Sequence, residues 1–522
     1  MRHLCRLRAA ATASLLLCFV MHVAAQERAR QPDVATLLAQ ARAFLQTDDP
    51  DRARGSIEAA LARNSTSADA HYLMGVLQER QKDLSGALTS YSEAIRYAPR
   101  RADAHDRLGF VLGQLGRTDD AIRHFERAVR LEPGLFDAQY HLGATRWWTR
   151  DFAGALPALQ AAVKLRPGHA EARYYLGLTL ERQGRLEPAI VQLREAVRLN
   201  PRLAVARTRL GVALQASGDL DAAIGELEAA VRLDPSAADA QNSLGLVLSQ
   251  KGRGDQSVDV LQRLIAAQPR YVPARLNLGT VLMQLGNLTE AVAVYRGLVA
   301  LDPSNAEAFY NLGLALKQMD AFAEAEVELR RAMHLDSALP EAPFTLGVVL
   351  WQTGRATEAM QQFREAIVRK PDYADAHFML GTILKQQGAH ADAVACFRDA
   401  IKHRPESAEA HLSLGQALKQ QGQDEQAAIE LAESARLTQR TADAQASTFA
   451  VSVGMQKVKG GNYAGAIQNF REAIRLAADN PQAHYQLALA LRQTGARIEA
   501  RVHFAEARRL APHLRPPNDS AR

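Results

Sequence analysis

Residues 170–203 read AEARYYLGLTLERQGRLEPAIVQLREAVRLNPRL, and this stretch decides the fold. Leu176, Gly177 and Leu180 in its first half, then Ala189, Ile190, Leu193, Ala196 and Val197 in its second, recur at helical spacing in two segments. Gly184 stands between the segments as a helix-ending turn residue, and Pro201 stops the second. Gly177 and Ala189 fall where small side chains let two antiparallel helices approach closely. The stretch predicts a helical hairpin. One hairpin cannot bury its own apolar faces, so copies must stack into a continuous core.

Such copies are present. Glycine recurs every 34 residues at Gly75, Gly109, Gly143, Gly177, Gly211, Gly245, Gly279, Gly313, Gly347, Gly381 and Gly415. Twelve residues further on stands alanine, from Ala87 and Ala121 to Ala393 and Ala427, with Ser257 in its place once. A third row is bulky and apolar, including Tyr91, Phe125, Leu159, Leu193, Tyr295, Phe363 and Phe397, and a fourth is proline, from Pro99 to Pro405. Acids such as Asp69, Asp137 and Glu171 begin the first helices, while bases such as Arg96, Lys164 and Arg198 end the second. That placement complements the helix dipoles.

With several independent rows in register, the chain resembles the tetratricopeptide repeat family. The resemblance implies an all-α, right-handed superhelical solenoid of about fourteen helical hairpins. Counted outward, repeats one to twelve span 34–441. The insertion Ala442 to Ala446 follows as a candidate bend or break, and repeats thirteen and fourteen span 447–514. Residues 26–33 are expected to be a linker and 515–522 a disordered tail.

The remaining segment is the N-terminus. Arg2, Arg6 and Arg8 precede a largely apolar run from Ala9 to Ala25 that closes on Val23-Ala24-Ala25. This is the pattern of a signal peptide spanning 1–25, with export to the periplasm or the extracellular space as its consequence; the alternative is an uncleaved membrane anchor. Cleavage after Ala25 would remove Cys5 and Cys18, leaving Cys396 with no partner for an internal disulfide. It would also take the net charge from +6 to +3, since three arginines and no acid leave. A charge of +3 spread over helix ends is no basic stripe, so nucleic acid is not an expected partner. With 47% hydrophobic residues and this small net charge, the chain is not a disordered one.

No catalytic machinery is expected. The sequence holds no GxxxxGK[ST] phosphate loop, no HExxH zinc helix and no GxSxG elbow, and the repeats leave no room for a further domain. No cofactor or metal is expected. Cys396, beside Phe397 in a second helix, reads as a structural thiol rather than a nucleophile. His71, His105, His377, His411 and His484 share repeat position 4, which reads as a packing preference inherited by duplication rather than a metal ladder. Arg253-Gly254-Asp255 reads as an ordinary inter-helix turn.

In the family, ligands lie along first-helix positions 2, 5, 9, 12 and 13, on the concave face. Position 5 here is repeatedly aromatic, with Tyr140, Tyr174, Tyr310, Phe344 and Phe378 among its residues, and Trp147, Trp148 and Trp351 fall at positions 12 or 13. Tyr140 with Trp147, and Phe344 with Trp351, are seven residues apart and share a helix face. Two aromatic patches suited to a protein or peptide partner result. The family's carboxylate clamp is not expected, because position 5 never holds Lys or Arg and position 9 never holds Asn. Asn277 and Asn311 at position 6 offer hydrogen bonds to an extended peptide. The expected function is a non-catalytic interaction scaffold of the cell envelope; the alternative is an accessory subunit of an envelope enzyme or secretion machine.

Overall fold

The computed structural model describes residues 32–511 and Leu514. The expected signal peptide or anchor, all but the end of the linker, Pro512 and the tail lie outside the described residues. Twenty-seven α-helices run from Val34 to Leu510, and no strand occurs among the described residues. All but one of the helices are 12 to 14 residues long and pair into hairpins. The exception, Asp424–Lys459, has 36 residues.

Repeat five shows how the sequence builds a hairpin. Its helices are Ala170–Arg182 and Leu186–Leu199. Gly184 adopts a φ of +72°, a left-handed conformation that lets its N–H reach Glu181 and the N–H of Arg185 reach Leu180, both at 2.9 Å. Gly177 is a contact point. A Cβ there would stand 2.8 Å from Cγ of Leu193, so glycine sets how closely the helices approach. Many first helices are capped from the residue before them, as where Ser67 accepts from the N–H of Ala70 and Asn305 from that of Ala308.

Where position 4 is His, Gln or Arg, it fastens the repeat to the turn before it. The side chains of His105, Gln139, Arg173, Gln241, His377 and His411 each bond the carbonyl of the proline six residues upstream, at 2.7 to 3.2 Å. Histidine, glutamine and arginine are interchangeable in this role because each offers an N–H of the right reach. The histidine row is therefore part of the scaffold.

The chain divides into two compact bodies near Ala213 and Leu214. In the second body, one apolar cluster runs from Leu261 to Ala427 and a separate one from Ala450 to Phe504. The gap between them falls on the long helix. At the insertion where the sequence points to a bend or break, the backbone continues as helix through Ala442 to Ala446. The reason is local. Gln439 occupies the place of the repeat-end proline, and Leu431 to Val453 contains neither proline nor glycine to stop the helix. The second helix of repeat twelve and the first of repeat thirteen are thus one rod, which accounts for twenty-seven helices in fourteen repeats.

Candidate partner-binding face

In the first body, aromatic residues from repeats four and five meet. Tyr140 stacks on Phe136 at 5.9 Å and packs against His169 at 5.0 Å and Tyr175 at 6.2 Å. Trp147 meets Trp148 edge-on at 5.1 Å and Tyr175 at 5.7 Å, and Tyr174 meets Tyr175 at 5.3 Å. Trp148 donates its indole N–H to the Tyr175 hydroxyl at 3.3 Å and remains 69% exposed. Burial pushes the Tyr140 hydroxyl up to about 12, and raises Tyr174 as well, so both stay neutral donors at physiological pH. The indole N–H of Trp147 is buried and meets no acceptor.

Tyr175 is central to this cluster, and the ligand-position rule missed it because it occupies position 6. The available signal was its place directly after Tyr174, on a helix that faces the paired tryptophans. Arg146, also near the cluster, is tied to Glu126 at 2.6 Å and to the Gly154 carbonyl at 3.1 Å. Arg150 forms the turn after Trp148 with a φ of +63°.

In the second body the position-5 aromatics behave differently. Phe344 lies 5.7 Å from buried Phe363 and 4.9 Å from Tyr373, and Phe378 lies 5.8 Å from buried Phe397. Tyr310 and Trp351 are partly buried against the same core, and burial raises the Tyr310 hydroxyl. Trp148 is an exposed large apolar residue; Tyr310, Phe344, Trp351 and Phe378 are not.

The two asparagines do not form a ladder. Asn277 donates to Asn242 of the preceding repeat at 2.8 Å, so part of its hydrogen-bonding capacity is spent inside the scaffold. Asn311 lines a cavity of about 210 Å³ with Thr280, Met283, Gln284 and Gln318. Nearby polar side chains also link successive repeats: Ser249 donates to Gln284 at 2.8 Å, and Lys385 to Gln416 at 3.0 Å. Position-2 acids are similarly engaged, Asp69 with Arg101 and Asp375 with Arg404.

A larger groove of about 550 Å³ lies by the second helices Leu220–Leu233 and Gly254–Ala267. Glu228, Arg232, Asp259 and Arg263 line it with charges of both signs, and no aromatic reaches it. Val231, Leu244, Leu248 and Val260 also line it, but it offers none of the tryptophan or tyrosine anchors enriched at binding hot spots. Arg253, Gly254 and Asp255 form the N-cap and first turn of the second of these helices. Burial, reinforced by Asp399 and Asp392, pushes the Cys396 thiol up to about 11, which keeps it protonated and unreactive near neutral pH. Among the described residues no helix is long and apolar enough to cross a membrane.

A tetratricopeptide repeat family model matches residues 38–106, 145–204 and 208–272, and covers 310–446 in overlapping segments, which together exceed half of the chain. Two related repeat models match 279–320 with 454–495, and 102–135. Among solved structures, MamA is 28% identical and covers 32% of this chain and 97% of its own, with a TM-score of 0.30. YrrB, described as a tetratricopeptide protein with an unusual peptide-binding site, is 23% identical and covers 35% of this chain and 95% of its own, at 0.33. Naa15/Naa10 bound to HypK-THB is 14% identical and covers 92% and 94%, at 0.31. No curated protein matches the chain significantly. The repeat models carry the family assignment.

Proposed function

Because this chain belongs to the tetratricopeptide repeat family, whose arrays act as protein-interaction scaffolds, we propose that it is a non-catalytic scaffold holding a protein or peptide segment on its first helices at the Trp148 patch. The observation that carries this reading is Trp148 itself, 69% exposed on a layer of partly buried rings. A large indole held by Trp147 and Tyr175 has little conformational freedom to lose when it is covered, which is what a binding anchor requires. The unpaired N–H of Trp147 adds a donor that a small shift would offer to a partner's carbonyl.

The site is tested by co-purification from envelope extract with Trp148→Ala beside the parent protein. Partners captured by the parent and lost by the variant support the assignment; an unchanged set removes it. We further propose export, on the basic and apolar N-terminal pattern up to Ala25. Mass measurement of the protein recovered from cells tests this step: a chain beginning at Gln26 supports export, and a full-length cytoplasmic chain overturns it without touching the binding site.

A further inference from the structure

Successive repeats meet through a small residue on one helix and larger ones on the next. Position 3 of the first helix is alanine in repeats two to twelve and in repeat fourteen, from Ala70 to Ala410 and again at Ala483. That alanine packs on positions 27 and 28 of the preceding second helix, Ala172 with Ala162 and Val163, and Ala342 with Ala332 and Met333.

Repeat thirteen breaks the row. Its position 3 is Phe449, which is 72% exposed. The matching position 27 is Ser434, fifteen residues away along the same straight rod, or about 22 Å. The chain cannot close this contact on itself. The other half of the contact is altered in the complementary sense. Positions 21 and 28 hold large aliphatics in most repeats, such as Val394 with Ile401, but here they are Ala428 and Ala435, both exposed. Large and small have exchanged sides.

The first and last described repeats look different. Exposed Thr36 occupies position 3 of repeat one, and exposed Arg501 and Arg508 occupy positions 21 and 28 of repeat fourteen. These are polar caps of the kind a repeat array needs to stay soluble. The interruption at the long helix carries no such cap.

We propose that a second copy of this chain covers it. Two Asp424–Lys459 helices pair antiparallel about a two-fold axis, and each Phe449 seats on exposed Ala435 of its partner, beside the buried Ser434. The midpoint between Ser434 and Phe449 falls between Thr441 and Ala442, which is also the midpoint of the helix, so a single axis restores both contacts. The same pairing brings Asp424 and Glu425 of the first turn beside Lys457 and Lys459 of the last. The pair rebuilds between two chains the repeat-to-repeat contact that each chain makes elsewhere within itself.

Sedimentation equilibrium of the full chain, read together with circular dichroism, tests the proposal. The parent protein is expected to be a dimer. Phe449→Arg and, independently, Ala435→Arg are expected to weaken the dimer by about 100-fold or more with unchanged helicity, because each buries an unpaired charge. Val368→Arg, at an exposed site elsewhere, should leave it intact. In a background without other cysteines, Ala442→Cys should form a disulfide-linked dimer on mild oxidation, since that residue adjoins the axis. A monomeric parent protein, arginine variants that stay dimeric, or no cross-link at residue 442 would each overturn the proposal.

Discussion

The aromatics around Tyr140 and those around Phe344 occupy the same repeat positions and end in different places. Position 24 differs between the repeats of Tyr140 and those of Phe344 and Phe378. Where that residue is aromatic, the position-5 ring is drawn down onto it, as in Phe344 on Phe363, Phe378 on Phe397, Tyr72 on Tyr91 and Tyr485 on Phe504, all at 5.7 or 5.8 Å. Under Tyr140 and Tyr174 the corresponding residues are Leu159 and Leu193. With no ring below, Tyr140 packs sideways on Phe136, His169 and Tyr175, and a lateral aromatic layer forms that leaves Trp148 outside. The residue nineteen positions further along thus sets whether a ring lies beneath a position-5 aromatic, and only Trp148 of the two patches is left exposed.

The largest effect that can break this comparison is removal of the supporting ring. Phe363→Ala should cost repeat ten and its neighbours about 3–5 kcal/mol, through lost burial and the cavity left beneath Phe344. Hydrogen exchange of Glu341–Gln352 should then rise well above that of Ala170–Arg182. The exchange readout suits a repeat array, which need not unfold in a single step. If protection in Glu341–Gln352 stays unchanged, Phe344 does not depend on the ring below it.

Trp148→Ala and Trp351→Ala should separate in the next range of effects. The exposed Trp148 should change stability by no more than about 0.5 kcal/mol, whereas partner affinity falls about tenfold or more. The partly buried Trp351 should instead lower stability by about 2 kcal/mol. Denaturant titration and partner capture of both variants give the answer; equal stability losses would erase the distinction between the patches.

Acid should act next, in the second body through His484 facing His503 at 3.0 Å and in the first through an equivalent pair. His105 and His124 face each other at 3.0 Å. Burial holds both below the ordinary histidine value, and the charge of His105 adds to the effect on His124. With folded values depressed, the unfolded chain binds more protons around pH 6. The stability from this pair is therefore complete above about pH 6.5 and is lost as the pH falls below it. His105→Gln, with the residue that Gln139 already supplies at position 4, should reduce the dependence in urea titrations at pH 7.5 and 5.5, leaving the share of His484 and His503. A decline of equal size in parent and variant would point to other groups.

The smallest effects should be alike in the two regions. Arg150, beside Trp148, and Asp320, after the Tyr310 helix, hold φ of +63° and +57° in turns where most other repeats use glycine. Arg150→Gly and Asp320→Gly should each stabilise the protein by up to about 1 kcal/mol, read as a higher Tm. A gain at only one site would mean that the other side chain makes a compensating contact.

Much of this molecule was legible because a repeat states each rule many times. Gly177 and Leu193 recur as partners at a constant spacing, and the turn glycines and end prolines mark every hairpin. The candidate site was only partly legible. Position numbers led to Tyr140, Trp147, Trp148 and Tyr174, which the structure brings together. They did not find Tyr175, and they treated Phe344, Trp351 and Phe378 as equivalent although these pack partly buried against the core and none of them is exposed as Trp148 is. The choice among these outcomes depends on side chains supplied by neighbouring helices, which no single row displays.

By itself the sequence determined the hairpin, its length, its repetition and its family, since helix periodicity, turn glycines and helix-stopping prolines act within a few residues of one another. Only the tertiary structure decided which aromatics face solvent and how the position-4 side chains hold the turns. The reason is one of range. Helix formation and termination are local, so they can be read along the chain; the burial of Phe344, the exposure of Trp148 and the uncovered face at Phe449 are settled by which other helix lies beside each of them.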